Sequence, residues 1–300
     1  MARGGWRDPI RRRIVHPVQA VAALVVYGLF AVLPVGVASA VGGWLLRMVG
    51  PRLRRLSGVA RRNLAAAFPD AGPAEIERII VAMWDNLGRN LGEFPHLKGL
   101  ADGDRVTVEG AEYVTQLRDD GRPGIFFSAH FGNWEVAQVA SRRHGLPLSV
   151  VYRAPNNPLV EWLYARRCDD TLDLIPKGSA GAKRLLKVLR QGGHLTLLVD
   201  QKMNDGIPVP FFGRPAMTAP ALAEFALRYR CPVVPTRVER LEGARFRIVV
   251  EPPLDLPDTG NHHDDVAETM RRVNAVIETW IRARPEQWLW VHRRWPDQVS

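Results

Sequence analysis

Gly124-Ile-Phe-Phe-Ser-Ala-His130-Phe-Gly-Asn-Trp-Glu135 carries an apolar, strand-like run into a turn and then into the first residues of a helix. A strand feeding a helix through a short loop is the unit of α/β architecture, and open α/β sheets place their sites at the carboxyl ends of strands. His130 stands at such an end. A histidine with a carboxylate beside it is the minimal machinery for taking a proton from an alcohol, because the carboxylate fixes the tautomer and stabilises the imidazolium. On one continuous helix, His130 and Glu135 would face different sides. The chain must therefore turn between them. Gly132 tolerates unusual dihedrals and Asn133 is a favoured N-cap, so the spacing predicts His130 on a loop and Glu135 in the first turn of the next helix.

Outward from this segment the same alternation recurs. Short apolar runs at 124–129, 146–152, 194–199, 232–238 and 246–250 read as strands, and 133–143, 158–170, 179–191 and 219–230 read as the helices between them. The expected class is α/β, with a largely parallel central sheet flanked by helices. Pro73, Glu75 and Glu77 open a further helix whose apolar residues at 76, 79, 80, 83, 84 and 87 keep helical spacing, which predicts that it covers the sheet. A last helix from about Asp264 to Ala283 precedes a Trp-rich tail.

A chain of 300 residues with 46% hydrophobic content has ample material for a core and is not a disordered protein. The formal net charge of +10 points to a partner carrying negative charge. Only five of the 41 basic residues are Lys. Arg suits phosphate recognition, although a composition rich in Arg, Ala and Gly accounts for most of this bias. Cys168 and Cys231 are too few for a disulfide framework or a metal clip, which implies free thiols in a reducing cytosol. Arg11, Arg12 and Arg13 precede an apolar stretch from Ile14 to Leu33, about the ~20 residues that cross a ~30 Å hydrocarbon core. That stretch is too long for a cleaved signal, in spite of Val37-Ala-Ser-Ala40. Residues 1–50 are thus expected to be a basic segment and a membrane-anchoring helix, spanning or re-entrant, and residues 51–300 a catalytic domain facing the cytoplasm.

Several ordered segments accompany the His130 motif: Arg62-Asn63-Leu64 with Ala67-Phe68-Pro69, Trp84 to Arg89 with Glu93, Tyr152-Arg153 with Asn157-Pro158, Val199-Asp200-Gln201, Pro210 to Arg214, and Trp288 to Trp295. Together with the H-x4-E spacing and the wording HFGNWE, they resemble the lipid A late acyltransferases, the lauroyl and myristoyl transferase family, from about residue 15 to the C-terminus. The resemblance implies transfer of a fatty acyl group from acyl carrier protein to a hydroxyl of a phosphorylated lipid A precursor at the bacterial inner membrane, without a cofactor. It also implies that an Arg after the Asn-Pro-Leu segment, Arg166 or Arg167, and Asp200 belong to the functional set. Arg153, directly after a strand, and Arg214, in a Pro-rich loop leading into the 219–230 helix, are candidate phosphate contacts. Backbone N–H groups around Gly132, with an Arg, are candidate donors to the oxyanion. Trp288, Trp290 and Trp295, interleaved with Arg293 and Arg294, are expected to form an aromatic belt at the bilayer interface. His144, His194 and His292 lack partners at metal-ligand spacing, so no metal site is expected. Two readings compete: an acyl-CoA-dependent acyltransferase acting on a phosphatidylinositol mannoside or lysophospholipid, and a non-catalytic basic protein that binds membrane surfaces or nucleic acid.

Overall fold

The computed structural model describes residues 11–165 and 172–295. Four helices come first: α1 (His16–Ala31), α2 (Val35–Val49), α3 (Arg54–Ala67) and α4 (Pro73–Glu93). They are followed by α5 (Leu97–Asp102), β1 (Val106–Glu109), α6 (Ala111–Asp119), β2 (Gly124–Ser128), α7 (Trp134–Ala140) and β3 (Leu148–Tyr152). Then come α8 (Glu161–Ala165), β4 (Leu172–Pro176), α9 (Ser179–Arg190), β5 (His194–Leu198), β6 (Ile207–Phe211) and β7 (Arg214–Thr218). The chain closes with α10 (Ala221–Tyr229), β8 (Val233–Arg240), β9 (Phe246–Val250) and α11 (His262–Ala283).

Seven strands form one sheet in the order β1-β9-β8-β2-β5-β3-β4, parallel throughout except for the β8–β9 pair. Covered on both faces, a parallel sheet needs strands that are apolar on both sides. β2 is fully buried accordingly: Ile125 and Phe127 enter a core with α3, α4, α9, α10 and α11, and Phe126 enters a second core with α5, α6 and α7. Phe127 stacks on Trp280 of α11 with ring centroids 5.9 Å apart. Burying such a side chain contributes roughly 1.5–3 kcal/mol.

Two expectations are corrected. The Val209–Pro215 stretch is not a loop into the next helix but an antiparallel hairpin, β6–β7, turned at Phe212 and Gly213 with φ of +52° and +69°. Paired positive-φ residues suit a two-residue hairpin turn, and the prolines at 208, 210 and 215 lie on its exposed side. The Trp tail is not an interfacial belt. Trp288, Trp290 and Trp295 are 1%, 0% and 5% exposed, packed on Phe211, Phe212 and Phe68.

At the N-terminus, residues Arg13–Ala31 form the one helix among the described residues that is long and apolar enough to cross a membrane, with mean hydropathy 1.8. Val18, Val21, Leu24, Val25, Val26 and Leu29 are exposed along it. α2 instead packs tightly on α4: a Cβ on Gly42 would lie 2.3 Å from the Gly88 carbonyl oxygen, so only glycine permits this approach. α4 therefore covers α2 on one side as well as the sheet on the other. The start of α1 is tied to the sheet's carboxyl edge, where Asn157 Nδ2 donates to the His16 carbonyl at 2.8 Å.

Candidate active site

Parallel pairing of β2 and β5 sets Ser128 opposite Leu198. Two residues beyond each, His130 and Asp200 emerge side by side at the carboxyl edge. Nδ1 of His130 lies 2.8 Å from Asp200 Oδ1, and the His130 backbone N–H donates to Oδ2 at 2.9 Å. Trp288 Nε1 donates to the same Oδ2 at 2.8 Å. Burial on its own would raise the Asp200 carboxyl, but the attraction of a protonated His130 and these three hydrogen bonds outweigh it, so Asp200 is held well below the usual carboxylate range. An ionised Asp200 accepts from Nδ1–H, which leaves the His130 Nε2 lone pair facing the site.

Asp200, 3% exposed and with both carboxylate oxygens hydrogen-bonded, is the carboxylate that holds Nδ1 of His130. Glu135 lies where the spacing places it, in the first turn of α7, half-buried. The Nδ1 partner nevertheless comes from just beyond β5, seventy residues away.

The loop from His130 to Asn133 is clamped from two directions. Gly132 has φ +57° and sits so close to β8 that a Cβ would lie 1.9 Å from the Val238 carbonyl oxygen. Its carbonyl accepts from Asn90 Nδ2 at 2.8 Å and Asn86 Nδ2 at 3.2 Å, and its N–H donates to the Gln287 carbonyl at 2.9 Å. Asn133 Nδ2 donates to Glu93 Oε2 at 2.7 Å. Glu93, fully buried at the end of α4, also accepts from Ser39 Oγ at 2.6 Å and forms a two-pronged ion pair with Arg240. The Gly132 N–H expected to serve the oxyanion is therefore already used within the protein.

Three residues reach the site without having been expected there from the sequence. Gln201 Nε2 lies 3.2 Å from His130 Nε2 and 3.1 Å from His292 Nε2, and the two imidazole rings are 5.5 Å apart. Trp288 secures Asp200. Gln201 adjoins Asp200 in the Val199-Asp200-Gln201 segment, and Trp288 and His292 belong to the Trp tail, so their motifs were visible while their roles were not. Next to His292 in the tail, Arg294 is fully buried, donates to Met217 O and Thr218 Oγ1, and is pushed down to about 10 by desolvation against the opposing pull of Asp200.

The remaining candidates are dispersed. Arg153 is exposed just beyond β3, with Asn156 Oδ1 3.5 Å from its guanidinium. Arg214 opens β7 with its guanidinium 5.8 Å from the Trp295 ring centroid. Four residues of strand, roughly 13 Å at ~3.3 Å per residue, separate Arg214 from the approach to α10, so it does not sit at that helix's N-terminus. Arg166, Arg167 and Cys168 lie outside the described residues, and Cys231 is a buried free thiol. Among the described residues, no group of His, Cys, Asp and Glu is placed to hold a metal ion.

Residues 9–297 match the family model described as bacterial lipid A biosynthesis acyltransferase. The chain is similar to a lipid A biosynthesis palmitoleoyltransferase of Escherichia coli (strain K12), 27% identical over 89% of this chain and 87% of the relative. A lipid A biosynthesis lauroyltransferase of the same organism is 26% identical over 81% of this chain and 79% of its own length. A lipid A biosynthesis acyltransferase of Haemophilus influenzae is 23% identical over 88% and 83%.

Proposed function

Since this chain belongs to the bacterial lipid A biosynthesis acyltransferase family and is an acyltransferase, we propose that it moves a fatty acyl group from an acyl carrier protein thioester to a hydroxyl of a phosphorylated lipid A precursor. The observation that carries this reading is the His130–Asp200 pair, with Nδ1 tied to a buried carboxylate and Nε2 left to accept a proton. The acceptor hydroxyl gives its proton to Nε2 as its oxygen bonds to the thioester carbonyl carbon. The tetrahedral oxyanion then collapses, the carbon–sulfur bond breaks, and the departing thiolate takes the proton back from His130. Glu135, from α7, is proposed to serve the same centre.

Other features support the reading. A small cavity of about 40 Å³ lies between the sheet and α6–α7, lined by Ser128, Val114, Phe126, Ala137, Leu146 and Leu148 among others. Its mostly apolar lining is proposed to meet the acyl chain, for which the cavity must widen. The exposed apolar α1, whose first residue is bonded to the loop after Arg153, supports a site held against a membrane, which we propose is the inner membrane with the catalytic domain in the cytoplasm. Arg153 and Arg214, with Arg166 or Arg167, are proposed to meet the acceptor's phosphates.

The test is a transfer assay on the full chain in detergent micelles, crossing dodecanoyl carrier-protein and dodecanoyl-CoA donors with phosphorylated and dephosphorylated glucosamine-lipid acceptors. The proposal expects the carrier-protein donor and the phosphorylated acceptor to win by at least tenfold in kcat/KM. Preference for CoA or for an acceptor without phosphate overturns it.

A further inference from the structure

An acyl transfer needs hydrogen-bond donors waiting where the thioester oxygen becomes an oxyanion, and the first three N–H groups of the loop at His130 are engaged elsewhere. The three N–H groups that follow β2 and Ala129 are all donated internally: His130 to Asp200 Oδ2, Phe131 to the Ala129 carbonyl, and Gly132 to the Gln287 carbonyl. The side-chain amide of Gln201 lies 3.2 Å from the working nitrogen of His130.

That amide is held in a specific way. Because the Nδ1 proton of His130 faces Asp200, Nε2 is an acceptor, and the Gln201 amide group 3.2 Å away must donate to it. The second N–H points at His292 Nε2, 3.1 Å away. His292 accepts only while neutral, and desolvation, reinforced by the charges of His130, Lys177 and Arg153 and opposed only by Asp200, pushes its imidazole below the ordinary histidine value. Its backbone is fixed in turn by Asn63, whose Nδ2 donates to the His292 and Trp290 carbonyls. Gln201 itself follows Asp200, which three hydrogen bonds lock in place. One N–H of the amide is thus anchored on a rigid acceptor, and the other occupies the position at His130 Nε2 that an attacking hydroxyl must take.

We infer that Gln201 is an oxyanion donor of this acyltransferase and that His292 is the positioning residue that aims it. When the acceptor hydroxyl engages Nε2, the N–H facing His130 is released while its twin stays on His292, so a polarised donor remains within a few ångströms of the reacting carbon. A protonated His292 no longer accepts from the amide and instead attracts its carbonyl oxygen, which turns the donor away. The acid limb of the pH profile therefore contains two protonations, one on His130 and one on His292. This inference rests on His130 acting as the base of the proposed transfer, and the experiment separates the two.

The full chain in detergent micelles is assayed with dodecanoyl carrier-protein thioester and a phosphorylated glucosamine-lipid acceptor. Gln201→Ala is expected to lower kcat by roughly 10²–10³, as for loss of a single oxyanion donor, with KM changed by less than about threefold. His292→Ala follows it more weakly. His292→Asn, which keeps an acceptor oxygen that does not titrate, recovers most of the rate and reduces the acid-limb slope of log kcat/KM from nearly two to one. If His130→Ala is inactive while Gln201→Ala works within threefold of wild type, the base reading stands and the Gln201 inference falls. If His130→Ala is itself active, both fall. A readout independent of turnover comes from ¹⁵N-histidine NMR of Gln201→Glu: a carboxylate bridging both Nε2 atoms raises the titration midpoints of His130 and His292 together, and a shift in only one or neither overturns the bridge.

Discussion

Replacing Glu93 should damage stability and catalysis together, although Glu93 lies outside the reacting centre. Its carboxylate is fully buried and answers Arg240, Ser39 and Asn133 at once, while Arg240 itself is only 9% exposed and also donates to Asn86 and Asn90. Removing one partner of a buried ion pair strands the other charge away from water, at a cost of about 3–5 kcal/mol. With about 2.1 cal/mol/K of unfolding entropy per residue, a 300-residue chain loses roughly 1.6 °C per kcal/mol, so the unfolding midpoint should drop by about 5–8 °C. Glu93→Gln separates charge from volume, because it fills the same space but turns an NH2 towards the donors of Arg240 or Asn133. Thermal unfolding in detergent, followed by tryptophan fluorescence, measures the shift. Glu93→Ala combined with Arg240→Met should fall by less than the sum of the two single changes, since the stranded cation is gone. A midpoint within 2 °C of wild type for Glu93→Gln, or strictly additive losses in the double variant, would refute the claim that this pair braces the loop at Gly132 and Asn133.

Four further outcomes follow from the structure. Gly132→Ala forces a Cβ to within 1.9 Å of the Val238 carbonyl in a left-handed conformation, so the loop must shift and kcat should fall at least tenfold while circular dichroism keeps its α/β signature. Asp200→Asn removes the group that fixes the His130 tautomer and should lower kcat/KM by roughly 10²–10⁴. Because the Asp200 carboxyl is depressed in the folded state, its stabilisation is present above about pH 4, the ordinary carboxylate value, and is lost as pH falls towards the folded value, so Asp200→Asn should also flatten the acid slope of stability measured by urea titration. The protein should float with anionic phospholipid vesicles in a density gradient, and deletion of residues 1–33 should abolish most of that flotation; vesicle binding that survives the deletion contradicts an anchor in α1.

The strands and helices that sequence patterning finds are those with strong periodicity. β2, β5, β8 and β9 are apolar runs bounded by Gly, Pro or charged residues, and α4 and α11 keep helical spacing over five turns or more. β1 and β4 escape because four or five residues with polar members, such as Val-Thr-Val-Glu, carry too little periodicity. The β6–β7 hairpin escapes because its alternating prolines look like a loop until the pairing shows them on the outer face. The Trp tail misleads for a similar reason: amphipathic residues beside arginines suit an interface, yet here the indole N–H groups of Trp288 and Trp290 find buried acceptors in Asp200 and the Pro285 carbonyl. His130 was legible because it ends a strand next to a turn. Its partner was not, since no local spacing links residues 130 and 200; only the parallel register of β2 and β5 brings them together.

His130 as the base of an acyl transfer to a hydroxyl answers to one experiment above all. Single-turnover transfer of a radiolabelled dodecanoyl group from carrier protein to a phosphorylated glucosamine lipid, by wild type and by His130→Ala at equal concentration and equal unfolding midpoint, tests it most directly. With His130 as the base, the variant's rate falls by roughly 10²–10⁴, with donor binding retained. Transfer by His130→Ala within threefold of wild type would contradict it.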